Sequence, residues 1–267
     1  MQQTDIRLDI FDRHLNLRWW RHARPAAGNP VLVLLHEALG CIGMWKDVPE
    51  LLAERSGCDL LVYERFGHGH SAPLPQAARG AGYLAYEAYE VLPELLRRCR
   101  VERPLLIGHS DGGTLALMYA ACFPQQVTGV VSEAAHLFVD ELSLAGIREA
   151  KRTFQETRLL ERLLRYHTDP EPIFRRWTEI WLTPEFADWS IEALMPKILC
   201  PLLAIQGEED EYGTRRQVEA LVAGVSGPAE ALLIPDCRHI PHLQAQQIFL
   251  ESVSDFVAAR GLSAPTS

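Results

Sequence analysis

What this 267-residue chain lacks narrows its function before any motif is read. Positive charge is scarce: 26 Lys and Arg stand against 35 Asp and Glu, a formal net charge of −9. A nucleic-acid partner calls for a clustered basic surface, so none is expected. Long apolar runs are missing too. Stretches such as Val31–Leu35 stop far short of the roughly 20 residues that span a bilayer, so no membrane partner is expected. The opening Met-Gln-Gln-Thr-Asp has no basic segment leading into an apolar one, so no secretory leader is expected. The six cysteines (Cys41, Cys58, Cys99, Cys122, Cys200, Cys237) contain no C-x-x-C pair and do not group with histidines at zinc spacing. Free thiols and no metal are the expectation, with the cytoplasm as the default location. No dinucleotide-type glycine loop occurs; Gly67-His68-Gly69 is only a fragment of one, so no cofactor is expected.

What is present is apolar content and a rhythm. Hydrophobic residues make up 48% of the chain, and a chain this long buries roughly three quarters of its extended surface. Ile6, Leu8 and Ile10 alternate, as do Leu15, Leu17 and Trp19 after Asp12-Arg13-His14, which predicts a β-hairpin. Six short apolar runs follow without alternation: Val31–Leu35, Leu60–Tyr63, Leu105–Ile107, Val127–Val131, Leu202–Ile205 and Ala231–Ile234. Runs of this kind suit parallel strands buried on both faces. Between them, Leu84–Arg98, Thr114–Cys122, Arg215–Ala223 and Gln244–Ala259 carry apolar residues at helical spacing. Alternating strands and helices predict an α/β fold: a mainly parallel sheet of about eight strands with helices on both faces. Residues 136–196 break the rhythm and read as helices only, an inserted cap after the sixth strand. The core is then 1–135 and 197–267. The tail after Arg260 has little to bury and is expected to fray.

The chemistry sits in three blocks. Gly108-His109-Ser110-Asp111-Gly112 is a G-x-S-x-G placed directly after a predicted strand and before a predicted helix, the context of a nucleophile elbow. A serine hydroxyl needs a base to take its proton. Asp210, after the strand at Leu202–Ile205, and His239, after the strand at Ala231–Ile234, complete the order Ser…Asp…His at carboxyl ends of strands. His239 would shuttle the proton, and Asp210 would fix its tautomer. Competing readings stay open. Asp111 is weighed as an alternative nucleophile, as a seat for a cationic substrate group, or as a brace for the elbow. Glu209, Glu211 and Glu133 are alternative acids. His242, His68, His70, His136 and His167 are taken first as structural.

With these blocks on the page, the chain resembles the α/β-hydrolase superfamily, in its capped esterase and C–C hydrolase branch. Besides the elbow and the acid and histidine loops, the resemblance rests on His36-Glu37-Ala38-Leu39-Gly40 leading to Trp45, and on Tyr63 through Ser71. It implies an oxyanion hole from the backbone N–H groups of Ala38 and Asp111, and a serine-hydrolase activity with no cofactor. Three residues depart from the family pattern: Glu37 stands where Gly is usual, Glu64 where Asp is, and Arg238 where Gly is. Glu37 is expected to point away from the hole and pair with a cation beneath the loop. His36, Trp177 and Trp181 are expected to touch substrate. The expected reaction is hydrolysis of a small, apolar or aromatic carboxylic ester through an acyl-enzyme, by a monomer or homodimer. Two alternatives remain. One is a C–C bond hydrolase of ring-cleavage diketones, for which Arg152, Arg175 and Arg176 offer a cationic subsite. The other is a ligand receptor that retains the fold.

Overall fold

The computed structural model describes residues 1–23, 28–154, 156 and 158–259; the tail expected to fray lies outside the described residues. Eight strands form one sheet: β1 (Gln2–Ile10), β2 (Arg13–Arg21), β3 (Leu32–Leu35), β4 (Leu60–Glu64), β5 (Leu105–His109), β6 (Gly129–Glu133), β7 (Leu202–Gly207) and β8 (Ala229–Ile234). Their order is β1-β2-β4-β3-β5-β6-β7-β8. β1 and β2 pair antiparallel, as do β2 and β4, and every other pair is parallel. The mainly parallel α/β sheet expected from the runs is therefore observed. The hairpin turn falls at Phe11-Asp12 and not at Asp12-Arg13-His14. Both turn residues have positive φ, 51° and 59°, the twist that suits a two-residue hairpin.

The helices are α1 (Val48–Ser56), α2 (Tyr83–Tyr86), α3 (Leu92–Cys99), α4 (Asp111–Cys122), α5 (Glu141–Thr153), α6 (Leu159–Leu163), α7 (Glu171–Trp181), α8 (Arg215–Gly224), α9 (Pro241–Gln244) and α10 (Gln246–Ala258). Successive side chains on a strand point to opposite faces, and the core divides accordingly. Leu32, Leu34, Leu105 and Ile107 pack with Leu52 of α1 and Phe249 and Val253 of α10. Val33, Leu35 and Leu106 pack on the other face with Leu96 of α3, Leu117 of α4 and Leu221 of α8. Both faces of the sheet are dry, which is why the central strands read as unbroken apolar runs.

Two helices expected as single elements are interrupted. The stretch expected over Leu84–Arg98 carries a π-helical turn at Glu87–Val91 between α2 and α3. Pro93 has no amide to offer the carbonyl four residues back, so the ladder shifts by one residue there. The stretch expected over Gln244–Ala259 breaks at Ala245, which leaves helical geometry (φ −130°, ψ 44°) and separates α9 from α10. α5, α6 and α7 all lie between β6 and β7. Among the described residues no helix is long and apolar enough to cross a membrane.

Candidate active site

The carboxyl ends of β5, β7 and β8 converge on one point. At the end of β5 the chain must turn at once into α4, and Ser110 takes the strain, with φ 53° and ψ −116°. The turn closes only because the residues two positions to either side, Gly108 and Gly112, have no side chain. A Cβ on Gly108 would lie 2.1 Å from the Gly112 carbonyl oxygen, and one on Gly112 would lie 1.9 Å from that of Leu35. Ser110 Oγ donates to His239 Nε2 at 3.0 Å, and His239 Nδ1 donates to Asp210 Oδ1 at 2.8 Å. The three residues expected from their order in the chain thus stand in one hydrogen-bonded row.

Asp210 is held from several sides. Its Oδ1 also accepts from the amides of Tyr212 (2.8 Å) and Gly213 (3.2 Å), and its Oδ2 accepts from Gln206 Nε2 (3.1 Å). Burial pushes its carboxyl pKa up, but the His239 ring and these bonds outweigh it and the net shift is downward. The other acids do different things. Glu211 accepts from the His239 amide (3.2 Å) and pairs with Arg238 (3.1 Å), so the arginine in the usual glycine position is an outward ion pair. Glu133 accepts from the His242 amide (2.7 Å) and from its Nδ1 (2.9 Å) and does not meet His239 in a hydrogen bond. Gln244 had no expected role. Its Oε1 accepts from the amides of Arg238 (3.0 Å) and Ile240 (3.2 Å) and so ties down the loop that carries His239.

Across the cavity, the loop after β3 is held from beneath. Arg65 donates to the carbonyls of Glu37 (2.6 Å) and His36 (3.3 Å), and to Asp111 Oδ2 (3.3 Å). Tyr83 Oη donates to the same carboxylate (3.0 Å) and accepts from Trp181 Nε1 (3.1 Å). Asp111 is buried and engaged on both oxygens, the bracing arrangement among the three weighed for it. Further along the loop, His68 Nε2 donates to the Ala38 carbonyl (3.0 Å) and His167 Nε2 to that of Leu39 (3.0 Å). The Asp111 amide opens α4, where first-turn N–H groups have no intrahelical acceptor.

Two expectations for this loop need correcting. His36 is buried, with Nδ1 donating to the Glu37 carbonyl (2.8 Å) and Nε2 accepting from the Arg65 amide (3.1 Å). Both ring nitrogens are spent on backbone, so it is a loop clamp and does not reach substrate. Burial, reinforced by the Arg65 charge, holds its pKa well down. Glu37 does not point away either. The cation beneath the loop takes its carbonyl, while its carboxylate lies over Gly40, lines the cavity, and stands 3.7 Å from His109 Nδ1. Glu64 caps the neighbouring turn through the amides of Ile42 (3.3 Å) and His70 (2.8 Å).

Ser110 opens into a cavity of about 200 Å³. Trp177 and Trp181 of α7 line it, with Ile147 of α5 and Leu159 and Leu163 of α6. Tyr212 and His136 also line it, and His136 Nε2 donates to the Tyr212 carbonyl (2.8 Å). No composition signal marked Tyr212; only its place two residues after Asp210 could have. Among the described residues one group could gather around a metal: His109, Glu133 and His242, with ligand atoms within 4.8 Å of one another. The fit is poor, because His242 Nδ1 already bonds both Glu133 oxygens and His109 Nε2 bonds the His239 carbonyl.

A sequence model of the alpha/beta hydrolase family matches residues 32–251. The chain belongs to the alpha/beta hydrolase family. Among curated relatives, serine hydrolase BPHL of Homo sapiens is 28% identical over 208 residues, covering 74% of this chain and 69% of that protein. The pimeloyl-[acyl-carrier protein] methyl ester esterase of Edwardsiella ictaluri (strain 93-146) is 25% identical over 264 residues, 88% of this chain and 96% of that one. Among solved structures, the alpha/beta hydrolase MGS-M2 from a Medee basin deep-sea metagenome library superposes with a TM-score of 0.76 at 17% identity, covering 97% of this chain and all of that one. At that identity it speaks for the alpha/beta hydrolase fold alone.

Proposed function

We propose that this alpha/beta hydrolase cleaves small, uncharged, apolar or aromatic carboxylic esters through an acyl-enzyme on Ser110. The observation that carries the reading is the Ser110–His239–Asp210 row opening into a small, largely apolar cavity. Ser110 Oγ attacks the ester carbonyl while His239 Nε2 takes its proton, and Asp210 stabilises the imidazolium that forms. The developing oxyanion is held by the amides of Ala38 and Asp111, each of the kind that contributes roughly 3 kcal/mol in the transition state. His239 then protonates the leaving alkoxide, and water releases the acid by the same route.

Residues 136–196 act as a cap in this reading, with 1–135 and 197–267 as the core. Trp177 and Trp181 form the apolar roof against which an acyl or aromatic group packs. Support for an uncharged substrate comes from where the cap cations lie. Arg175 pairs with Glu171 (2.6 Å), Arg152 with Glu149 (2.7 Å), and Arg176 packs on the Tyr83 ring (4.6 Å). None lines the cavity, so among the described residues a substrate carboxylate finds no Lys or Arg there, and the ester reading is favoured over a diketone C–C hydrolase. The names of the two relatives, a serine hydrolase and a methyl ester esterase, point the same way. The test is hydrolysis of p-nitrophenyl esters from acetate to octanoate, with an acyl chain bearing a terminal carboxylate alongside and Ser110→Ala as control. Many turnovers on the short neutral esters, lost in the variant, support the proposal. Equal rates in both proteins, or a preference for the anionic ester, overturn it.

A further inference from the structure

Behind the catalytic row lies a second set of charged groups that takes no part in the proton transfers among Ser110, His239 and Asp210. His109 precedes the nucleophile in the chain, and its ring is 1% exposed. Its Nε2 donates to the His239 carbonyl at 2.8 Å, so Nε2 carries a hydrogen. Its Nδ1 is fully buried with no hydrogen-bond partner, and Glu37 Oε2 is 3.7 Å away. The groups facing His109 come from three segments. Glu37 approaches from the loop after β3, Glu133 from the end of β6, and the His239 and His242 rings from beyond β8, at centroid distances of 5.2 and 4.9 Å. Both carboxylates are largely or wholly buried. The Glu37 side chain is 23% exposed, and the residue is one of those lining the cavity.

A neutral His109 would leave Nδ1 as a bare lone pair facing a carboxylate, two acceptors with no hydrogen between them. An imidazolium removes that conflict and supplies the charge Glu37 lacks. We propose that His109 works as an imidazolium positioning residue: Nε2–H anchors the His239 loop, and Nδ1–H neutralises and restrains Glu37 so that its charge does not oppose the oxyanion at Ala38 and Asp111. Burial alone would push the His109 pKa down, but the Glu133 and Glu37 carboxylates outweigh it and raise it to about 9. Glu37 moves in the complementary sense: burial raises its pKa, and His109 and His36 bring it down to about 2. The departure at position 37 and the histidine before the nucleophile are then one device.

The kinetic arm of this inference rests on Ser110 being the nucleophile; the spectroscopic arm does not. In 15N-histidine-labelled protein the His109 ring should show two protonated nitrogens at pH 7, losing one on the way through pH of about 9. A single bare nitrogen at pH 7 overturns the proposal whether or not the protein hydrolyses esters. On a neutral p-nitrophenyl ester, wild-type kcat/KM should fall above that pH, and Glu37→Gln should flatten the fall. His109→Gln keeps a donor for the His239 carbonyl but not the charge. It should lose on the order of 10- to 100-fold in kcat with KM little changed, and Glu37→Gln added to it should restore most of the loss. A purely structural His109 predicts rescue by glutamine alone and no effect of position 37. That pattern, or an alkaline fall that survives in Glu37→Gln, overturns the proposal. If His109→Gln does not fold, the wild-type and Glu37→Gln measurements still decide.

Discussion

Arg65→Met probes the brace beneath the oxyanion loop. The guanidinium is buried and holds three groups: Asp111 Oδ2 at 3.3 Å and the carbonyls of Glu37 and His36 at 2.6 and 3.3 Å. Removing one partner of a buried ion pair costs about 3–5 kcal/mol, because the remaining charge stays buried. Asp111 keeps the Tyr83 hydroxyl at 3.0 Å, and methionine refills much of the volume, so the lower end applies: about 3 kcal/mol. For a chain of this size that is a fall in Tm of roughly 6–12 °C. Activity should fall as well, by about 100-fold in kcat/KM, because the freed carbonyls let the Ala38 amide drift from the oxyanion. Denaturant melts of Arg65→Met, Asp111→Asn and the double variant measure the pair directly. A coupling of about 1–3 kcal/mol is expected. A coupling under about 0.5 kcal/mol, or a Tm loss below about 2 °C, refutes the brace.

Asp210→Asn should preserve the fold yet lower kcat by about 10³- to 10⁴-fold, since asparagine cannot stabilise the imidazolium; stopped-flow or steady-state esterase assays read this. Stability should depend on pH through His109. Its folded pKa of about 9 lies above the usual 6.5, so its contribution is complete below about pH 6.5 and lost as pH rises through 9. Differential scanning calorimetry should therefore show Tm falling by a few degrees from pH 7 to 10, and falling less in Glu37→Gln. Arg238→Gly, which breaks only the half-exposed pair with Glu211, should change stability by under about 1 kcal/mol in a urea melt. Trp177→Ala enlarges the cavity wall and should shift the preferred p-nitrophenyl ester to a longer acyl chain, read as a change in KM ranking.

The fold was legible because its strands are buried on both faces. Runs such as Leu105–Ile107 have no polar positions to obscure them, and the elbow glycines are demanded by contacts of about 2 Å to backbone. The order of Ser110, Asp210 and His239 was legible for the same reason: each follows a strand. What failed was the destination of side chains on the loops. His36 and Glu37 are neighbours on one loop, yet one turns under it to clamp backbone and the other turns over it to line the cavity. Nothing local separates them; the choice is made by Arg65 and His109, distant in sequence. Gln244 and Tyr83 escaped notice because their roles depend on partners six and 28 residues away.

The most direct measurement of the central claim is covalent trapping. The protein is treated with a fluorophosphonate, and its intact mass and tryptic peptides are read with and without prior incubation with a short p-nitrophenyl ester. One adduct per chain on the peptide carrying Ser110, slowed by the ester and absent in Ser110→Ala, is the predicted result. An adduct elsewhere, or no adduct on a protein that still hydrolyses the ester, would contradict the account.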